Sequence, residues 1–170
     1  MLRATSVLPA GTWERALEAD HVALTHDNRH RRRIAMKGEG GTEFLLDLTD
    51  AAYLHDRDGL ALDDGRIVRV LAAEEPVAEI TGNAHLIARV AWHIGNRHVP
   101  AQILSDRIRI ARDHVLEEMI ERLGARVARV KAAFDPEPGA YASEGHSHSH
   151  NHDHDHAHGL SHSHGHGHDH

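Results

Sequence analysis

Through the first half of the chain, apolar residues alternate with polar ones or gather in short blocks, and turn-forming residues separate the blocks; this is strand spacing, not helical spacing. The runs Ala4 to Leu8, His21 to Thr25, Arg32 to Lys37, Thr42 to Leu48 and Gly65 to Leu71 are the predicted strands. Between the third and fourth, Lys37-Gly-Glu-Gly-Gly41 reads as a hairpin turn, because glycine takes the positive φ angles that such a turn needs. A small β-sandwich over residues 1–73 is the expectation.

After Glu74-Glu-Pro76 the pattern changes. A short strand, Val77 to Ile80, leads into a helix carrying Leu86, Ile87, Val90, Ala91 and Ile94 on one side, with Gly95 read as its C-terminal stop. Strands follow at Val99 to Leu104 and Arg107 to Ala111. A second helix then carries Val115, Leu116, Met119, Ile120 and Leu123, and a last strand runs from Arg126 to Phe134. The segments HLIARVAWHIG, from His85, and HVLEEMIERLG, from His114, align without gaps, each inside a strand-helix-strand unit. Two such units predict a ferredoxin-like βαββαβ domain over residues 74–138, with both helices on one face of a four-stranded sheet. The fold class is therefore α+β. From Phe134 the sequence FDPEPGAYASE reads as a linker, and residues 139–170 as a disordered His-rich tail.

Composition narrows the function. The formal net charge of −7 argues against a nucleic-acid partner, whose phosphates demand clustered Lys and Arg. The run Arg29-His-Arg-Arg-Arg33 lies in an acidic protein and reads as a solvated or partner-contacting strand. Nothing approaches the ~18 apolar residues of a membrane span, and the start of the chain lacks a secretory signal, so a cytoplasmic protein with no membrane partner is expected. With no cysteine, any metal must be held by nitrogen or oxygen.

Of the 20 histidines, twelve lie in the tail: His146, His148, His150, His152, His154, His156, His158, His162, His164, His166, His168 and His170. Alternation is the informative feature. In an extended chain, side chains change sides at each residue, so H-x-H spacing puts imidazoles on a common side where two or three chelate one ion. Imidazole suits Ni²⁺, Zn²⁺ and Cu²⁺, so the tail alone does not name its metal. A purification tag or a merely solubilising tail is the bland alternative.

A second constellation is AWHIGNRHVPAQI, from Ala91, which holds His93 and His98 on either side of Gly95-Asn96. On a continuous helix these two would point about 140° apart, so they are not a chelating pair. With Gly95 as a stop, His98 falls in a loop held by Pro100. It then offers one ligand, which a two-fold axis could double by adding a second copy. The commoner role for His93 is a packed helix histidine, and for His98 an ordinary surface residue is an equal alternative. His114 follows Asp113, a candidate N-cap; in a first helical turn the macrodipole disfavours its protonated form, which suits a ligand. There is no phosphate loop, no HExxH helix, no GxSxG elbow and no cysteine nucleophile, so catalysis has no positive support. A three-histidine hydrolase built on His93, His98 and His114 lacks a general base.

Two segments, AWHIGNRHVPAQI and FDPEPGAYASEGHSHSH, resemble the signatures of urease accessory protein E, the nickel chaperone of urease maturation, and the likeness extends over essentially the whole chain. The resemblance implies an N-terminal domain like the peptide-binding domain of J-domain chaperones, a ferredoxin-like metal-binding domain, and a homodimer formed through the latter. It further implies that His98 is the principal ligand, shared across the dimer axis, with tail histidines feeding the site, and that His93 and His114 match positions that are histidine in some members. The expected activity is Ni²⁺ delivery to the urease apoprotein through an accessory GTPase complex. A histidine-rich nickel or zinc store is the alternative. One departure stands out: Arg112 occupies the position where some relatives carry a further histidine before Asp113-His114.

Overall fold

The computed structural model describes residues 1–138. Six strands form the first sheet: β1 (Leu2–Leu8), β2 (Glu18–Leu24), β3 (His30–Lys37), β4 (Glu43–Tyr53), β5 (Gly59–Leu62) and β6 (Ile67–Ala72). Their order is β2-β6-β5-β1-β4-β3, with β1–β4 and β2–β6 parallel and the remaining pairs antiparallel. Alternation along β4 explains the core: Phe44, Leu46 and Leu48 are buried and meet Ala4, Val22, Leu54, Leu60, Val68 and Val70.

The two layers expected of a sandwich come from this one sheet curling until its end strands approach. The Asp20 carboxylate on β2 accepts hydrogen bonds from the backbone N–H groups of His21 (2.7 Å), Gly40 (2.7 Å) and Thr42 (2.9 Å), and Glu39 N donates to His21 O at 2.9 Å. These bonds fasten the β3–β4 hairpin to β2. Glycine is required at position 38, because a Cβ there would collide with the Asp20 carboxylate. Burial pushes the Asp20 pKa up, but the N–H donors of Thr42, Gly40 and His21 outweigh it and bring it down to about 2.

The second sheet contains β7 (Glu74–Thr81), β8 (Ala101–Ile103), β9 (Ile108–Ala111) and β10 (Arg126–Ala133), with α1 (Ala84–Gly95) after β7 and α2 (His114–Arg122) after β9. Its order is β10-β7-β9-β8, all antiparallel, which is the expected ferredoxin-like split βαβ. Asn83 caps α1 by accepting from Leu86 N, and Asp113 caps α2 by accepting from Val115 N and Leu116 N. Val90 and Ile94 of α1 and Leu116 and Ile120 of α2 pack on Ala78, Ile80, Ile108 and Ile110 of the sheet. Each fully buried aliphatic side chain contributes about 1.5–3 kcal/mol.

Four expectations change. Strand β5 is not among those predicted, because its four residues are too few to display a period. Gly95 is the last residue of α1 but not its left-handed cap: the chain keeps turning to Arg97, and the positive φ falls on His98. The start of the anticipated linker is packed, not free, since Phe134 and Pro136 are buried. Arg29, read as part of a solvated or partner-contacting strand, lies directly before β3 and is fully buried.

Candidate metal centre

The end of α1 is built by a pair of closing hydrogen bonds. His98 N donates to Gly95 O at 2.9 Å and Val99 N to Ile94 O at 3.4 Å, so His98 occupies the left-handed position just past the helix. Its φ is 53°. Helix α2 closes the same way: Gly124 N donates to Glu121 O at 2.9 Å and Ala125 N to Ile120 O at 3.3 Å, with φ of 98° at Gly124. The residue equivalent to His98 is thus Gly124, and Gly95 only mimics it in the gapless alignment. A left-handed conformation costs a residue with a Cβ roughly 1–2 kcal/mol relative to its usual backbone. Val99 repays part of this by packing on the core beneath the helix end.

His98 is exposed and leaves the helix end towards solvent. His93, in the last turn of α1, is half-buried; its ring meets Trp92 edge-on at 4.9 Å and its carbonyl accepts from Arg97 Nη1 at 2.9 Å. His114 is exposed at the first position of α2. Strand directions bring all three to one end of the second sheet: α1 finishes there, β8 begins there, and β9 ends there before α2. Sharing an end is not sharing an ion. Among the described residues, no three His, Cys, Asp or Glu side chains are gathered where they could hold one metal. The tail histidines expected as ligands, His146 to His170, lie outside the described residues.

Position 112 has a structural role. Arg112 Nε donates to the buried Glu117 at 2.5 Å, and Arg129 Nε donates to the other carboxylate oxygen at 2.8 Å. Burial raises the Glu117 pKa, but the two guanidinium groups win and leave it below the usual range. This clamp ties the start of α2 to β10.

A polar cluster that sequence reasoning missed lies where the two sheets meet. Arg29 donates to Asp135 Oδ1 at 2.7 Å and to the Phe134 carbonyl, and its guanidinium lies 5.1 Å from the centre of the Tyr53 ring. Asp135 Oδ2 accepts from Asp56 N at 3.1 Å, His55 Nδ1 lies 3.4 Å from Oδ1, and His26 Nδ1 is 2.6 Å from the Tyr53 hydroxyl. Burial drives the Tyr53 pKa up to about 12. The only hint in the sequence is an arginine directly before β3.

Among the described residues, no helix is long and apolar enough to cross a membrane. Comparison with known proteins defines the class: residues 3–73 match the family described as UreE urease accessory protein, N-terminal domain, and residues 75–170 match its C-terminal domain. The chain belongs to the UreE urease accessory protein family. It is 55% identical over 147 residues to the urease accessory protein UreE of Bradyrhizobium sp. (strain ORS 278), covering 86% of this chain and 70% of that one. It is 53% identical over 143 residues to the protein of the same name from Rhodopseudomonas palustris (strain BisB18), covering 84% and 67%. A shorter relative from Chelativorans sp. (strain BNC1) is 50% identical over 148 residues, covering 86% and 90%.

Proposed function

We propose that this chain is a nickel metallochaperone: a non-enzymatic cytoplasmic homodimer that binds Ni²⁺ reversibly and delivers it to the urease apoprotein through an accessory GTPase complex. Membership of the urease accessory protein family supports a role in urease maturation. The observation that carries the metal reading is His98, an exposed imidazole at a left-handed position that favours glycine. One imidazole is too few for a tight site, and the described residues of one chain offer no third donor beside it. Completion therefore falls to a second copy across a two-fold axis and to the tail histidines, with His93 and His114 as auxiliary ligands at the same end. An all-imidazole site exchanges metal more readily than a closed thiolate cage, as delivery requires. In this reading the chain comprises a peptide-binding-like domain over 1–73, a metal-binding domain over 74–138 and a ligand-rich tail over 139–170. Zn²⁺ and Cu²⁺ compete for the same donors.

The test is calorimetric Ni²⁺ titration, with mass measured in solution, on the full chain, a chain ending at Ser143, and His98→Ala in that shorter chain. About one tight nickel per dimer that survives truncation and disappears with His98→Ala supports delivery from a shared site. Loss of all tight binding on truncation rejects it in favour of a tail-based store.

A further inference from the structure

The curled first sheet does not close on itself. Among the described residues its end strands, β2 and β3, share no ladder, and over most of their length their Cα atoms stay more than 8 Å apart. Paired strands lie about 4.8 Å apart, so the seam is wider than one strand spacing. Both edges turn backbone groups into it. Gly38 N donates to Thr42 O at 2.8 Å, and the two-residue alternation of an antiparallel ladder then puts Met36 and Ile34 in bonded pairs with Phe44 and Leu46. The N–H and C=O of Arg33, Ala35 and Lys37 therefore point away from β4. On β2, Leu24 O accepts from Ala73 N on the β6 side at 2.9 Å and His21 O accepts from Glu39 N on the other, which leaves Ala23 facing β3. Side chains follow the same geometry. Ile34 and Met36 share a face with the buried Phe44 and Leu46, yet Ile34 is 39% exposed where the seam lies open. With Val22 and Leu24 they floor a groove of about 280 Å³ whose rim carries Arg31 and Lys37.

We propose that this seam takes an extended acidic segment of a partner protein, which adds to the free edge of β3 and sends alternate apolar side chains into the groove. The inference rests on the reading of residues 1–73 as a peptide-binding-like domain and makes no use of nickel or His98. Charge decides the kind of partner. Among the described residues, Arg33 and Lys37 meet Asp47 and Glu43, whereas Arg31 and Arg32 meet no carboxylate, and Glu39 at the far end is held by His21 at 3.2 Å. An acidic segment neutralises the two guanidinium groups that lack a carboxylate; a basic one, or a second β3, adds to their charge. Two closures set the length. The bond from Glu39 N to His21 O shuts one end of the seam, and the chain that joins β2 to β3 shuts the other. From Arg31 to Lys37 an extended chain covers about 20 Å, so roughly five residues lie along the edge before the segment rises out of the seam.

The probe is an eight-residue peptide alternating glutamate and valine, blocked at both ends and titrated into the full chain in the presence of a chelator, with amide NMR shifts as the readout. A peptide with lysine in place of each glutamate is the control. The acidic peptide should bind about tenfold more tightly than the lysine one, lose affinity as salt rises, and shift the amides of Ala23, Ala35 and Lys37. Reversing the rim charge with Arg31→Glu and Arg32→Glu together should weaken it about tenfold. Ala35→Pro removes an N–H that the β4 ladder does not use and should abolish binding. If that variant fails to fold, Ala23→Glu, an exposed change on the opposite lip, should still weaken the acidic peptide about threefold, and Ala23→Lys should strengthen it to a similar extent. Equal affinity for the two peptides, or binding that none of these variants changes, overturns the seam and leaves peptide binding by residues 1–73 standing. Binding of neither peptide at millimolar concentration overturns that reading as well. A fall in solution mass on Ala35→Pro without peptide assigns the edge to a second copy and overturns the proposal.

Discussion

Replacing His98 by glycine should make the metal-free protein more stable, whereas replacing it by alanine should not. The imidazole is exposed and makes no hydrogen bond through its side chain among the described residues, so its removal alone changes little. What matters is φ of 53° at a residue with a Cβ. Glycine relieves roughly 1–2 kcal/mol of left-handed backbone cost, but its freer unfolded chain returns about 0.4–1 kcal/mol. The net expectation is a gain of about 0.5–1 kcal/mol, a rise in Tm of roughly 1–4 °C for a folded region of this size. Alanine retains the strained backbone and should remain within about 0.5 kcal/mol of the parent. The assay is thermal unfolding in the presence of a chelator, on chains ending at Ser143 so that no tail-bound metal contributes. Equal Tm values for His98→Gly and His98→Ala would refute the argument. A real difference, together with loss of nickel from both, would mean that the folded state gives up stability to keep an imidazole at this point.

Acid should loosen the hold of β2 on the β3–β4 hairpin. Asp20 has a folded pKa of about 2 against an ordinary 3.8, so its stabilisation is complete above pH ~4 and is lost as pH falls towards 2; Asp20→Asn should remove about 1–2 kcal/mol at pH 7 and flatten that acid limb in denaturant melts. Gly95→Ala and Gly124→Ala should move stability in opposite directions: Gly95 is helical with open space at its Cβ, so alanine gains about 0.5–1 kcal/mol, while Gly124 at φ of 98° loses about 1 kcal/mol or more, read by Tm. Glu117→Gln should cost roughly 1–3 kcal/mol in urea unfolding, because Arg112 and Arg129 lose the buried charge between them.

The alternation of Phe44, Leu46 and Leu48 and the helical stripes ending at Ile94 and Leu123 are strong periodic signals, so the α+β architecture and the order of elements were legible in the sequence. The curl of the first sheet was not, since it depends on Asp20 meeting Gly40 and Thr42, a contact between residues some twenty positions apart that no local pattern announces. Gly95 misled for a physical reason: glycine after an apolar stripe usually marks a left-handed cap, and here that conformation falls three residues later on His98. The motif drew attention to His98, while the left-handed backbone that sets that residue apart went unseen. Arg29 was hidden for the opposite reason. Its partners, Phe134 and Asp135, lie more than a hundred residues away, and a basic run looks solvated until its tertiary neighbours are known.

The end strands of the curled sheet carry a further consequence. Among the described residues, strand β3 has one unpaired edge, and its sequence HRRRIAMK sets positive charge along it beside the half-exposed Ile34. Two such edges brought together would repel, so the sheet resists growing from one molecule into the next.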